Sequence, residues 1–169
     1  MFTFACAVSS GYRTGRNCKI RSPDGLPNFN LKQKVANYPG VTVEKKTGFF
    51  NINRTTDVQL IDLPGSYGLN TKSIDQSIVF DLLLNKNNKD FPDLVVIISD
   101  VENLKRNLLL FTQIKDLEIP SILAINMSDQ LKLKGIEIDI KKLEQKLDTK
   151  IVLISAKKNE GFEELKNVI

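Results

Sequence analysis

The chain has 169 residues, of which 41% are hydrophobic and 26% charged, and it carries a formal net charge of +4. These values are ordinary for one globular domain with a single hydrophobic core. No stretch approaches the roughly 18 consecutive apolar residues that a membrane helix requires. Two cysteines and no histidine argue against a zinc site, and the composition favours a cytoplasmic domain without a structural disulfide.

The positive charge is concentrated near the N-terminus. Residues 1–46 hold eight Lys and Arg residues against two acidic ones, so this part carries +6 and the remainder −2. A basic arm can contact nucleic acid or anionic lipid, which leaves a nucleic-acid-binding domain as one hypothesis. The arm has no aromatic platform or recognised nucleic-acid motif. A solvated basic segment is therefore favoured, and no nucleic-acid partner is expected.

The predicted elements begin with a short apolar run in residues 1–10. This run is too short for a secretory signal and lacks a basic leader, so it predicts a buried first strand. Strands are predicted at 49–53 and 58–62 with a polar turn at 54–57 between them, and a helix at 73–84. The continuous apolar run 94–99 predicts a strand covered on both faces.

Helices and strands then alternate to the end of the chain. Helices are predicted at 104–117, at 140–147 and from Phe162, and strands at 122–125 and 151–154. This alternation is typical of an α/β fold, with a mostly parallel central sheet flanked by helices on both faces. One domain is predicted over residues 1–169.

Ligands of such sheets bind beyond the C-terminal ends of the strands. The first motif found there is D-x-x-G, which reads Asp62-Leu63-Pro64-Gly65. An Asp at a strand end can hold Mg²⁺, because hard cations take oxygen ligands. A glycine three residues later lets a backbone N–H approach a phosphate oxygen.

Two further motifs follow the next predicted strands. The first is N-x-x-D, Asn126-Met127-Ser128-Asp129, and the second is S-A-K, Ser155-Ala156-Lys157. A carboxylate at Asp129 can accept hydrogens from guanine N1 and N2, and the Asn126 amide can bond the base and brace neighbouring loops. A backbone N–H of the S-A-K loop can meet guanine O6. Each motif is weak alone, but their order and their strand context together indicate a Ras-like GTPase.

The flanking sequence carries a closer resemblance. Residues 35–46, VANYPGVTVEKK, are similar to the first switch of bacterial ferrous iron transport protein B, and residues 62–67, DLPGSY, to its second. Residues 103–108, NLKRNL, resemble that family's N-L-x-R-N-L helix start. The resemblance extends from about residue 26 to the C-terminus. It implies the N-terminal GTP-binding domain of such a protein, with a Ras-like P-loop GTPase fold.

The resemblance assigns roles to individual residues. Thr42 would close over Mg²⁺ and the γ-phosphate, together with the rest of the first switch, and Gly65 would meet that phosphate. Asn126 and Asp129 would select guanine, with Met127 along the base. Ser66 stands where Ras-type enzymes have a water-orienting Gln, so slow hydrolysis is expected. The remaining first-switch positions are Gly40, Val41, Val43 and Glu44, and the metal ligands are Thr42 and Asp62.

The resemblance also implies ligands and partners. These are GTP or GDP with Mg²⁺, and a monovalent cation such as K⁺ is left open. The partners would be the helical regulatory and membrane domains of a full-length transporter, at the cytoplasmic face of the cell membrane.

The phosphate-binding loop G-x-x-x-x-G-K-[ST] is missing from its expected place. The interval 9–22 reads SSGYRTGRNCKIRS, in which Lys19 falls at the loop lysine without a preceding Gly or a following Ser or Thr. Pro23 and Pro27 oppose the helix that would follow. Weak nucleotide affinity and disorder over about residues 9–30 are therefore expected.

A local frameshift is our leading hypothesis for this segment. Lys-Ile-Arg at 19–21 can be written AAA-ATC-CGC, which with one base skipped reads AAA-TCC-GC, or Lys-Ser-Ala. Resequencing that finds the printed frame intact would count against it. The alternative function is a degenerate, nucleotide-free G domain that acts as a regulatory or protein-interaction module.

Overall fold

The computed structural model describes residues 2–8, 32–37, 44–53, 56–63 and 74–169. In this part of the chain, seven strands form one sheet in the order β2-β3-β4-β1-β5-β6-β7. Their bounds are β1 Phe2–Val8, β2 Lys32–Asn37, β3 Glu44–Asn53, β4 Thr56–Asp62, β5 Leu94–Asp100, β6 Ser121–Asn126 and β7 Ile151–Leu153.

The sheet is parallel through its centre and antiparallel at one side. β1 lies between β4 and β5 and pairs with both in parallel, and β6 and β7 continue this arrangement. β2, β3 and β4 pair in antiparallel fashion. The prediction of a first strand is confirmed, and so is that of a mostly parallel sheet.

The described ranges contain five helices, of which four lie between strands and the last follows β7. They are α1 Ile74–Leu84, α2 Leu104–Lys115, α3 Ser128–Lys134, α4 Ile140–Leu147 and α5 Phe162–Val168. α4 has the predicted bounds and is capped by Asp139, whose carboxylate accepts from the Lys142 N–H at 3.0 Å. Such a cap satisfies one of the unpaired N–H groups at the start of a helix.

The hydrophobic core lies on both faces of the sheet, because successive strand residues point to opposite sides. In β5, Val95 and Ile97 pack into the cluster that contains α1 and α2 residues. The intervening Val96 and Ile98 pack into the cluster that contains Phe162 and Leu165 of α5. The predicted arrangement of helices on both faces is confirmed.

Some element bounds differ from the prediction. The polar turn predicted at 54–57 is too long, because β4 already begins at Thr56, which pairs with Asn53 of β3. β2 and α3 were not predicted, since neither KQKVAN nor SDQLKLK has a clear apolar period. Their geometry comes from strand pairing and from neighbouring loops. The disorder expected over residues 9–30 lies outside the described residues.

Within the described ranges, no helix is both long and apolar enough to cross a membrane.

Gly161 is constrained at the loop between β7 and α5. It has a φ of +82°, and a Cβ there would lie 2.1 Å from the Leu153 carbonyl oxygen. Gly135 also has a positive φ, +62°, but a Cβ there would meet nothing within 4 Å. Both glycines have a left-handed backbone, but only Gly161 has no room for a Cβ atom.

We therefore expect Gly161→Ala to destabilise the fold more than Gly135→Ala. The left-handed backbone alone costs about 1 kcal/mol for alanine, and forcing a methyl group into packed backbone adds roughly 1–3 kcal/mol. Urea unfolding monitored by circular dichroism measures both. Equal losses for the two variants would show that the space around Gly161 relaxes freely.

Candidate functional site

Polar residues collect where the parallel strands end. Asp62 is the last residue of β4, Asp100 of β5 and Asn126 of β6, and Ser155 follows β7. Asp100 pairs with Asn126 in the register of β5 and β6. Because parallel strands end at one edge of a sheet, these side chains share the crevice where α/β proteins bind ligands.

Asn126 joins two loops through a single oxygen. Its side chain is buried, and its Oδ1 accepts from the Met127 N–H at 2.8 Å and from the Ala156 N–H at 3.0 Å. The N-x-x-D turn and the S-A-K loop are therefore held against each other by one amide.

Met127 makes the turn from β6 into α3. Its φ is 66°, in the left-handed region that non-glycine residues seldom adopt. The Ser128 N–H donates to the Ile154 carbonyl at 3.1 Å, which ties this turn to the end of β7. Asp129 is thereby placed in the first turn of α3.

The Asp129 carboxylate is held by two side chains. Its Oδ1 accepts from the buried Ser155 hydroxyl at 2.8 Å, and its Oδ2 accepts from Gln130 Nε2 at 3.1 Å. The Ser155 hydrogen bond is the main cause that holds the pKa of Asp129 below its ordinary value of 3.8, against the effect of burial. Gln130 and the positive charge of Lys157 lower this pKa further. The carboxylate is consequently ionised at neutral pH.

The S-A-K loop closes on itself. Ser155 and Glu160 exchange two backbone hydrogen bonds of 3.0 and 3.1 Å, and the Lys158 N–H donates to Ser155 Oγ at 3.3 Å. Ala156 is half-buried beside Asn126, while Lys157 is exposed. The loop therefore directs the Ala156 N–H at the N-x-x-D turn.

The D-x-x-G motif is described only in its first half. Asp62 is half-buried between β1 and β3, paired in register with Cys6 and Lys46, and Leu63 is buried in the core. Pro64, Gly65, Thr42 and the other first-switch residues 40–43, and Lys19, lie outside the described residues, while Glu44 begins β3. The structure thus brings Asn126, Asp129 and the S-A-K loop into contact, while Asp62 lies at the same end of the parallel strands, on β4.

Sequence reasoning missed two parts of this edge. It did not foresee that Ser155 contacts Asp129 through its hydroxyl, nor the buried polar group that Ser99 and Asp100 at the end of β5 form with Asn107 of α2. An Asp at the end of an apolar strand, as at Asp62, is the signal that could have drawn attention to Asp100.

The chain is similar to known proteins over most of its length. The family model described as ferrous iron transport protein B matches residues 29–169. The Fe(2+) transporter FeoB of Leptospira biflexa is 38% identical over 139 residues, which are 82% of this chain and 20% of that protein. The FeoB of Escherichia coli K12 is 38% identical over 144 residues, 82% of this chain and 18% of that protein. The chain therefore spans about a fifth of the length of these relatives.

Solved structures agree with these relatives. The cytosolic domain of T. maritima FeoB in a GDP form has a TM-score of 0.80 and 36% identity, covering 99% of this chain and 61% of that one. The cytosolic domain of L. pneumophila FeoB has a TM-score of 0.77 and 31% identity, covering 98% and 66%. The predicted GTPase fold is confirmed, and this chain belongs to the family of ferrous iron transport protein B.

Proposed function

We propose that this chain is the guanine-nucleotide-binding switch domain of a ferrous iron transporter, built as a slow GTPase, and that its phosphate-binding region weakens nucleotide binding. The observation that carries the proposal is the convergence of Asn126, Asp129 and the S-A-K loop at one sheet edge. Solved relatives in GDP and GMPPNP forms support the ligand class.

Base selection follows from the ionised Asp129. Guanine presents N1–H and the N2 amino group side by side, and a carboxylate can accept from both because each oxygen has two lone pairs. Adenine has an acceptor at N1 and no amino group at C2. Ser155 occupies one lone pair of Oδ1 at 2.8 Å, so the carboxylate is held in one orientation before the base arrives.

The neighbouring residues form the rest of the base site. The half-buried Ala156 would let the base lie against the loop, and the half-buried Met127 stands in the adjoining turn. The Ala156 N–H is already bonded to Asn126 Oδ1 at 3.0 Å. Guanine O6 would therefore share this donor or take the adjacent N–H of Lys157.

The phosphate end rests on fewer residues. Asp62 supplies a carboxylate at a strand end, a donor that suits Mg²⁺, which the resemblance pairs with Thr42. Mg²⁺ would offset charge on the β- and γ-phosphates. Gly40, Val41, Thr42 and Val43 with Glu44 would form the first switch, and Pro64 and Gly65 the second. K⁺ activation stays a hypothesis.

The sequence of residues 9–22 is the reason to expect weak binding. A phosphate loop places several N–H groups, a lysine and a hydroxyl on the phosphates. Here Lys19 has Cys18 before it and Ile20 after it. The family-model match begins only at residue 29, which agrees with an altered segment before it.

A regulatory module that binds no nucleotide is the second candidate function. The sequence favours it because the N-x-x-D and S-A-K motifs are present while the phosphate-loop motif is not found at 9–22. In either case the partners would be the helical regulatory and membrane domains of the full-length transporter. The domain would lie at the cytoplasmic side of the membrane.

The first prediction concerns nucleotide binding. A fluorescent GDP analogue titrated with Mg²⁺ should bind selectively over the matching ADP analogue, but weakly, with a Kd above about 10 μM. The variant Arg13→Gly/Cys18→Gly/Ile20→Ser, which rebuilds the loop spacing around Lys19, should bind at least about tenfold more tightly. Absence of guanine binding in both chains would favour the regulatory module.

The second prediction concerns base selection. Asp129→Asn replaces one acceptor oxygen with an N–H₂ donor, which suits the C2 carbonyl of xanthine and not the amino group of guanine. In the loop-restored chain this variant should prefer XDP to GDP. Asp116→Asn makes the same change at an exposed position after α2 and should leave the preference unaltered. An Asp129→Asn variant that still prefers GDP would remove Asp129 from base recognition.

The third prediction concerns pH. Asp129 titrates below its ordinary pKa of 3.8, so its interactions stabilise the fold above that value and are lost as pH falls through the lowered pKa. Ser155→Ala removes the main cause and raises this pKa. The variant should therefore lose more unfolding free energy at pH 6 than at pH 2.5. Thr149→Val removes a hydroxyl that donates to the neutral Ser121 carbonyl, and its loss should be the same at both pH values.

A further inference from the structure

We propose that Asp100 is a positioning residue for the guanine site, because its buried carboxylate fixes the turn whose Val101 N–H holds Asn126. The expected effect of Asp100 on nucleotide binding rests on the proposed function. The geometry can be tested without any nucleotide.

Asp100 lies at the centre of a buried polar group. It is the last residue of β5 and only 3% exposed. Its Oδ1 accepts from the Asn103 backbone N–H at 2.6 Å and from Asn103 Nδ2 at 3.0 Å, and its Oδ2 accepts from Asn107 Nδ2 at 3.4 Å. The carboxylate therefore binds the turn at 100–103 and the first turns of α2 together.

The orientation of Asn107 indicates that donors are required here. Its Nδ2 donates to Ser99 Oγ at 3.1 Å and to Asp100, while its buried Oδ1 has no hydrogen-bond partner among the described residues. Leaving a buried carbonyl oxygen unpaired is unfavourable. The opposite amide orientation would aim that oxygen at the Asp100 carboxylate, and two acceptors would repel each other. The observed orientation therefore leaves the Asn107 oxygen unpaired but gives the carboxylate a donor.

The turn fixed by Asp100 contacts the base-reading motif directly. The N–H of Val101, the next residue, donates to the Asn126 carbonyl at 3.1 Å. Asn126 in turn holds the Met127 and Ala156 N–H groups with its side chain. A displacement of Val101 would therefore be transmitted to both loops that face the base.

A second contact between the same segments provides a control. Glu102 forms an ion pair with Lys134 at the end of α3, but both side chains are exposed. Exposed ion pairs contribute little to stability. Glu102→Gln thus makes the same carboxylate-to-amide change as Asp100→Asn, two residues away and in the same turn.

The test compares variants of the whole chain by two-dimensional amide NMR without nucleotide. Asp100→Asn places an N–H₂ donor against the Asn103 and Asn107 donors. We expect shifted Met127 and Ala156 amide resonances, and Val101 amide exchange about tenfold faster, the equivalent of one lost hydrogen bond. If Asp100→Asn folds poorly, Asn103→Ala takes its place, because Asn103 is exposed and makes no side-chain helix cap. This variant should give smaller changes at the same amides.

Two controls separate positioning from general stability. Glu102→Gln should resemble the wild-type chain, and Ile114→Val should lower the melting temperature through packing in α2 without moving the Met127 and Ala156 amides. The proposal is overturned if the Met127 and Ala156 amide resonances of Asp100→Asn and Asn103→Ala match those of the control variants, whatever the melting temperatures are.

Nucleotide binding forms a second arm. In the loop-restored chain, Asp100→Asn should weaken GDP binding about three- to tenfold, while Glu102→Gln leaves it unchanged. Unchanged GDP affinity in Asp100→Asn would overturn the link to guanine recognition. A loop-restored chain that binds no guanine nucleotide would defeat the proposed function alone, and the amide shifts would still decide whether Asp100 positions Asn126.

Discussion

The side-chain oxygen of Asn126 is the contact on which the proposed guanine site depends. It accepts two backbone N–H groups from segments about 30 residues apart in sequence, Met127 and Ala156. The Ser128–Ile154 and Ser155–Asp129 hydrogen bonds join the same two segments, so this shared acceptor is the centre of a small network. A buried amide oxygen can do this because its two lone pairs point in different directions. The placement of Asp129 and of the Ala156 N–H follows from it.

The sheet in turn determines where Asn126 stands. Alternate residues of β5 and β6 enter opposite cores, so a slip of one residue would turn both buried rows toward the wrong face. Leu123 and Ile125 pack on the α2 side, and Ile122 and Ala124 on the α5 side. Packing therefore fixes the register in which Asp100 stands opposite Asn126. The hydrophobic pattern of two strands thereby sets the geometry of a polar site.

The predictable features were those with a local cause. The run LVVIIS indicated a doubly covered strand, and the capped, amphipathic 140–147 segment indicated a helix with its observed bounds. α3 was missed because SDQLKLK exposes Leu133 and has no apolar stripe, and its start is set by the left-handed Met127. The Ser155–Asp129 and Asp100–Asn107 contacts were out of reach because each joins residues from separate elements, and only the folded register brings them together.

The hydrogen bonds of Asn126, Asp129 and Ser155 come from a part of the sequence far from the altered segment at 9–22. Asn126, Asp129 and Ser155 make the hydrogen bonds described above to residues between 101 and 160. None of those bonds uses the sequence at 9–22, where the loop motif is missing. Under the proposed function, substitutions in that interval would act on phosphate affinity, and base selection would rest on residues from the other half of the chain. Under the proposed function, selectivity for guanine and strength of nucleotide binding are separable, and a chain that binds nucleotide weakly can still prefer guanine.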